Sequence, residues 1–298
     1  MGSTIIRVTT GIAALCLALS GQPAGAAQAS QLPVKAAAPA KPAAPAAEAT
    51  VGPPVTGIPS PCAVKHPYPA GAKPAEIRRQ LSAFTGFTLM GGGWDSPANA
   101  PLVRLVWETL ERLNCTDYLT VIKQNHPRFV VNAAPTRSWA WGDWGLTRAD
   151  ALTLDFAKWQ QALKAGDPGR LVRILVHELG HAWSRTPQAQ ASYNSFNRLY
   201  RKGGNFGPYA HNLNENYSEV IGYYVARCAK GNPYDDKKFA PYYNLVKSTV
   251  FKGKEFGPAP GTRANCSPRS TTRRPATKPA APVTRLPKES LEPRALLG

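Results

Sequence analysis

Read as a pattern of apolar and polar positions, the chain changes character several times. Ile77, Leu81 and Phe84 recur at helical spacing and predict a short amphipathic helix over Pro74–Phe84. Leu102, Leu105, Val106, Leu110 and Leu113 repeat that pattern more strongly, predicting a helix over Pro101–Leu113 with Pro97 and Asn99 as start signals. The Gly91–Gly93 run before it is a loop, and no Lys-Ser/Thr follows on a helix to make it a phosphate cradle. Tyr118–Gln124 extends the helical region. The period then falls to two. Arg128–Asn132 (RFVVN) is β-branched and aromatic and predicts a strand. Ala151–Phe156 alternates Leu152, Leu154 and Phe156 against Thr153 and Asp155, which predicts a half-buried strand. Between these two, Ser138–Gly145 (SWAWGDWG) predicts a long hairpin loop. Its Trp139, Trp141 and Trp144 either rim a cleft or cover the core beneath it. Lys158–Ala165 is helical again and stops at Gly166.

The most informative stretch comes next. Asp167-Pro168 has the chemistry of a helix start, Asp as the cap and Pro at the first helical position. From Leu171 the helix is apolar nearly all round (Leu171, Val172, Ile174, Leu175, Val176, Leu179), which predicts burial on most sides. His177, Glu178 and His181 interrupt that surface. Polar groups in so apolar a helix are costly without partners. Positions i and i+4 share one helical face, so the two imidazoles can ligate one metal ion and Glu178 can reach a water beside it. This is the H-E-x-x-H arrangement.

A catalytic zinc takes three protein ligands and keeps one position open. His66 and His126 lie far upstream beside prolines. Asn212–Cys228 (NLNENYSEVIGYYVARC) is the better source, because Glu215, Glu219, Gly222 and Ala226 share one face of a helix. The small residues there, with Gly180 on the central helix, permit close approach. That brings Glu215 to the metal and lets Glu219 accept a hydrogen bond from a ligand histidine. The bland reading has both glutamates as solvated residues near a helix N-terminus.

H-E-L-G-H followed by N-E-x-x-S-E resembles the gluzincin zinc metallopeptidases. In thermolysin-like enzymes the second segment reads N-E-x-x-S-D, and Asn214-Glu215 and Ser218-Glu219 stand at its positions. The likeness covers about 50 residues. It implies Zn2+ held by His177, His181 and Glu215, Glu219 behind a ligand histidine, and Glu178 as general base. No histidine follows His211, so thermolysin's late histidine has no counterpart. The pattern is closer to the anthrax lethal factor-like group, which has a tyrosine shortly before the ligand glutamate. Tyr209 stands one residue from that place and is the implied oxyanion donor, with His211 as its rival. The resemblance further implies a mainly helical α+β, zincin-like domain with a small β-sheet whose edge strand flanks the active-site helix. By order in the chain, Ala151–Phe156 is the candidate for that edge, along which a peptide substrate would add as a strand.

The ends of the 298-residue chain read differently. Residues 1–27 have the positive start, the apolar run over Gly11–Leu19 and the small residues of a secretory signal. Residues 28–60 form an Ala/Pro-rich linker or pro-segment, and residues 257–298 a basic, mostly disordered tail. That leaves 61–256 as one metallopeptidase domain. No other stretch is long and apolar enough to span a membrane, so the expectation is a secreted protein in an oxidising compartment. Once the signal is removed four cysteines remain, and Cys62–Cys115 with Cys228–Cys266 are the preferred disulfides because each closes the shorter loop. A four-cysteine zinc site would need closer spacing. The net charge of +18 is spread, without the Lys/Arg blocks of a nucleic-acid binder. It allows attraction to an anionic cell-wall or surface polymer through the tail. The expected activity is therefore a secreted zinc-dependent endopeptidase acting on protein or peptide substrates. Two other readings remain: a catalytically idle zinc-binding or adhesion module, and a hydrolase of cell-wall peptide crosslinks.

Overall fold

The structure, a computed structural model, describes residues 61–207 and 212–266. Its first helix, α1 (Pro74–Thr85), begins with proline and ends at Gly86, whose left-handed backbone lets its N–H bond Ser82 O. Strand β1 (Thr88–Met90) follows, then α2 (Ala100–Leu113) and α3 (Tyr118–Asn125). The apolar stripe foreseen for α2 is buried, and Val103 and Trp107 join it. Next come β2 (Val130–Ala133), β3 (Gly142–Trp144), β4 (Ala151–Leu154) and α4 (Phe156–Lys164). Four helices complete the domain: α5 (Pro168–Ser184), α6 (Pro187–Gly203), α7 (Leu213–Val225) and α8 (Ala240–Thr249). The described chain is thus mixed α+β, mainly helical, with one four-stranded sheet.

The sheet corrects three expectations. First, the strands at Val130–Ala133 and Ala151–Leu154 pair in parallel and are not joined as a hairpin. The strand order is β1-β2-β4-β3, with β1, β2 and β4 parallel and β3 antiparallel to β4. Ala151–Leu154 is therefore an interior strand, not the edge. All four of its residues are buried, where alternation predicted a half-buried strand. A strand flanked on both sides and covered on both faces has no solvated face for Thr153 to occupy. The edge is β3, a three-residue strand within the segment expected to be a hairpin loop. It is this strand that packs against α5.

Helix α5 is the centre of the domain. Asp167 caps it by accepting from Arg170 N. Its buried positions include Leu171, Val172, Ile174, Leu175, Val176 and Leu179, and it touches α2, α3, α4, α6, α7, β3 and β4. This is why its sequence is apolar nearly all round. Its longest seam is with α7, where Asn212 caps the helix start by accepting from Glu215 N. Glycines set the spacing of that seam. A Cβ on Gly180 would come within 3.0 Å of Ser218 Cα, and one on Gly222 within 3.0 Å of Arg173 O.

Both expected cysteine pairs are at disulfide geometry. Cys62–Cys115 has a Cα separation of 5.3 Å and Cys228–Cys266 one of 5.6 Å. The first ties the N-terminal segment to the end of α2, the second the end of α7 to the C-terminal segment. Buried Arg227 holds that segment too, donating to Pro258 O and Thr262 O, so packed chain continues past Phe256 to Cys266. No helix among the described residues is long and apolar enough to cross a membrane. The signal, linker and most of the tail lie outside the described residues.

Candidate metal centre and its cleft

Two helices build the site. On α5, His177 and His181 lie one turn apart, and on α7, Glu215 occupies the first turn. Because the glycines draw the helices together, donor atoms from all three residues lie within 4.8 Å of one another. His177 Nε2 is 3.2 Å from Glu215 Oε2 and 3.1 Å from His181 Nε2, and His181 Nε2 is 3.5 Å from Glu215 Oε1.

The other nitrogen of each ring is already engaged. His177 Nδ1 donates to Glu219 Oε2 at 2.9 Å. A carboxylate can only accept, so this bond fixes a proton on Nδ1 and turns Nε2 towards Glu215. Ser218 Oγ lies 3.0 Å from His181 Nδ1 and orients that ring in the same way. Glu219 is fully buried, and Arg173 Nη1 bridges both its oxygens at 2.7 and 3.0 Å. Burial alone would raise the Glu219 carboxyl, but His177 and Arg173 hold it below the usual carboxylate range.

This donor set fits a divalent metal. Two imidazole nitrogens and a carboxylate oxygen converge on one point, and both imidazoles are fixed from behind. Two facing Nε2 lone pairs at 3.1 Å repel unless a proton or a cation stands between them. The field there is strongly negative. Burial disfavours a charged His177, yet the Glu215 and Glu219 carboxylates push its pKa up to about 10. Bonds from His177 and His181 hold the Glu215 carboxyl far below its ordinary range.

Glu178 faces the same cleft from the next position on α5 and is buried. Burial pushes its pKa up, against the pull of the two histidines. β3 lies directly over it, since a Cβ on Gly142 would come within 3.3 Å of Glu178 Cγ and 2.9 Å of Ile174 Cγ2. A carboxyl poised above its ordinary range beside a donor cluster that borders the cleft is suited to taking and returning a proton.

The cleft holds about 560 Å³, with β3 on one side and α6 and α7 on the other. The tryptophans divide between the two readings. Trp139 is exposed at the rim. Trp144 is mostly buried, stacked on Phe129 at 5.1 Å, though its edge reaches the cleft. Trp141 is half-buried beneath the Arg170 guanidinium at 3.9 Å.

Tyr209 and His211 lie outside the described residues. The cleft contains another tyrosine, Tyr193 on α6, whose hydroxyl donates to Asn214 Oδ1 beside Glu215. Burial raises its pKa, so it carries its proton at neutral pH. Thr186-Pro187 is a start signal that could have revealed α6, since Thr186 caps it by accepting from Ala189 N. The helix has only Ala189, Ser192 and Phe196 buried, too thin a stripe for a strong periodic signal. The other two described histidines serve packing. His66 Nδ1 bonds Glu111 at 2.9 Å, and His126 Nε2 donates to Ala182 O at 3.0 Å. Comparison with known protein families, curated proteins and solved structures finds no match to this chain.

Proposed function

We propose that this domain is a zinc-dependent peptide hydrolase of gluzincin type, acting outside the cytoplasm. The observation that carries the reading is the convergence of His177, His181 and Glu215 on one point, with buried Glu178 facing the same cleft. Two nitrogen donors and one oxygen donor, with an open cleft in front, suit zinc in a catalytic rather than a closed structural site. Zinc bound there supplies a Lewis acid that polarises a carbonyl and brings the pKa of a water towards ~7.

The chain's own residues do the rest. His177 and His181 bind through Nε2 because Glu219 and Ser218 occupy Nδ1. Glu178 accepts a proton from the attacking water on its carboxylate and passes it to the nitrogen of the leaving amine, so that a peptide and water give a carboxylate and an amine. A donor near the substrate carbonyl stabilises the developing oxyanion. Tyr209 remains a candidate for this by resemblance, and Tyr193 is the phenol among the described residues that lines the cleft. β3 is paired on one side only and borders the cleft, which supports binding of an extended peptide as an added strand. Two disulfides and the signal-like N-terminus support an exported protein.

The reading is tested by incubating the purified mature protein with a peptide library, with and without a chelator. Cleavage that the chelator abolishes and zinc restores is expected. No cleavage by protein carrying one zinc per chain would overturn the reading.

A further inference from the structure

Among the described residues three large apolar side chains stand exposed, and two of them, Trp139 and Leu146, are at the cleft. Trp139 is 69% exposed and Leu146 50%. They flank β3, one before it and one after it. Neither is exposed because its loop is loose. Lys158 Nζ ties the loop of Trp139 from below, donating to Thr136 Oγ1 at 3.1 Å, Arg137 O at 2.5 Å and Ala140 O at 2.6 Å. Asp155 accepts from Thr136 N at 3.1 Å in the same loop. Beyond the strand, buried Asp143 accepts from Leu146 N at 3.0 Å, Thr147 N at 2.9 Å and Thr147 Oγ1 at 2.5 Å. Apolar groups held out in water by a fixed backbone mark a surface made to be covered.

We infer that Trp139 and Leu146 form a preorganised apolar clamp that selects substrates with a large aliphatic or aromatic side chain. The inference rests on the peptide-hydrolase reading. A peptide laid along β3 turns alternate side chains to the same face, so one of its residues meets Trp139 and another Leu146 while its backbone pairs with the edge. Charged side chains there would lose water without gaining a partner. The clamp is ready before substrate arrives, which limits the ordering cost of binding.

The test uses blocked octapeptides of Ala, Gly and Ser carrying a single Leu, Phe, Asp or Lys at each position in turn. With zinc-loaded protein, Leu and Phe at the position facing Trp139 or at the one facing Leu146 should raise kcat/KM about 10-fold or more over Ala, as burial of a large side chain allows. Trp139→Ala with Leu146→Ala should reduce that preference below about 3-fold, mainly through KM, with zinc content unchanged. Trp139→Phe should keep most of it. An unchanged preference in the double variant, or none in the native protein, overturns the clamp. If zinc-loaded protein cleaves none of these peptides, the hydrolase reading fails, and the clamp is judged by binding alone. Tighter binding of Leu or Phe peptides to the Glu178→Gln protein, lost in the double variant, then supports the clamp. Equal binding of all peptides overturns it.

Discussion

Each imidazole of the site is held by a second residue, Glu219 behind His177 and Ser218 behind His181. Glu219 is the clearest case, a buried carboxylate between His177 Nδ1 and the Arg173 guanidinium. Glu219→Gln keeps the shape but removes the charge that holds His177 as an Nδ1 donor. It should weaken zinc binding about 10- to 100-fold, the range for partners of metal ligands. Competition with a zinc-selective dye measures this, and an unchanged affinity would remove Glu219 from the account. Tyr193 gives a second prediction at this scale. Tyr193→Phe should lower kcat about 100-fold if its hydroxyl meets the developing oxyanion, with little effect on zinc content or KM. The same loss in Tyr209→Phe, with Tyr193→Phe unaffected, assigns the role to Tyr209.

These residues were legible in the sequence to different depths. His177, Glu178 and His181 stood out because polar groups interrupted an apolar helix. Glu215 and Glu219 followed from their shared face with Gly222. Arg173 and Ser218 carry no periodic signal that predicts their roles, since those depend on how two helices meet in space. Tyr193 was hidden for the same reason, on a helix with few buried positions.

Among the elements, the pairing of α5 with α7 decides whether a metal centre exists. The helices approach as closely as they do because Gly180 and Gly222 present no Cβ to the partner. Gly222→Val would place methyl groups against Arg173 O and His177 Cβ, which a Cβ alone already meets at 3.0 and 3.3 Å. Overpacking of this kind costs about 1–3 kcal/mol, and here it also moves Glu215 away from the histidines. The expected outcome is a lower melting temperature with a disproportionate loss of zinc affinity; loss of stability alone, with zinc affinity intact, would contradict it. The sheet was the less legible element. Alternation located a strand from Ala151, but not its end at Leu154, where Asp155 caps the helix that Phe156 begins, nor its place in the sheet, because a strand's neighbours follow from topology. β3 was missed because three residues with a glycine among them carry almost no strand signal.

At the largest scale, the described residues form a stapled domain built round one buried helix. Its stability and metal affinity are linked through His177. In the metal-free protein the carboxylates of Glu215 and Glu219 push that imidazole up to about 10 from its ordinary 6.5. A raised folded-state pKa stabilises the fold fully below about pH 6.5 and loses that contribution as pH rises towards 10. Zinc needs the neutral ring and displaces the proton. The gap in melting temperature between zinc-loaded and metal-free protein should therefore widen from pH 6.5 to pH 9, as calorimetry can follow. A gap that stays constant or narrows would contradict the linkage. Both disulfides were foreseeable from loop length, since four cysteines allow three pairings and this one closes the shortest loops, of 53 and 38 residues.

In the function proposed, Glu178 transfers a proton beside a metal held by His177, His181 and Glu215. The most direct test compares native protein with Glu178→Gln, each carrying one zinc per chain, on the same peptide library. We expect equal zinc content and a cleavage rate lower by about 100- to 10,000-fold in the variant, the usual worth of a positioned general base. Equal cleavage by the two proteins, or cleavage by neither, would contradict that function.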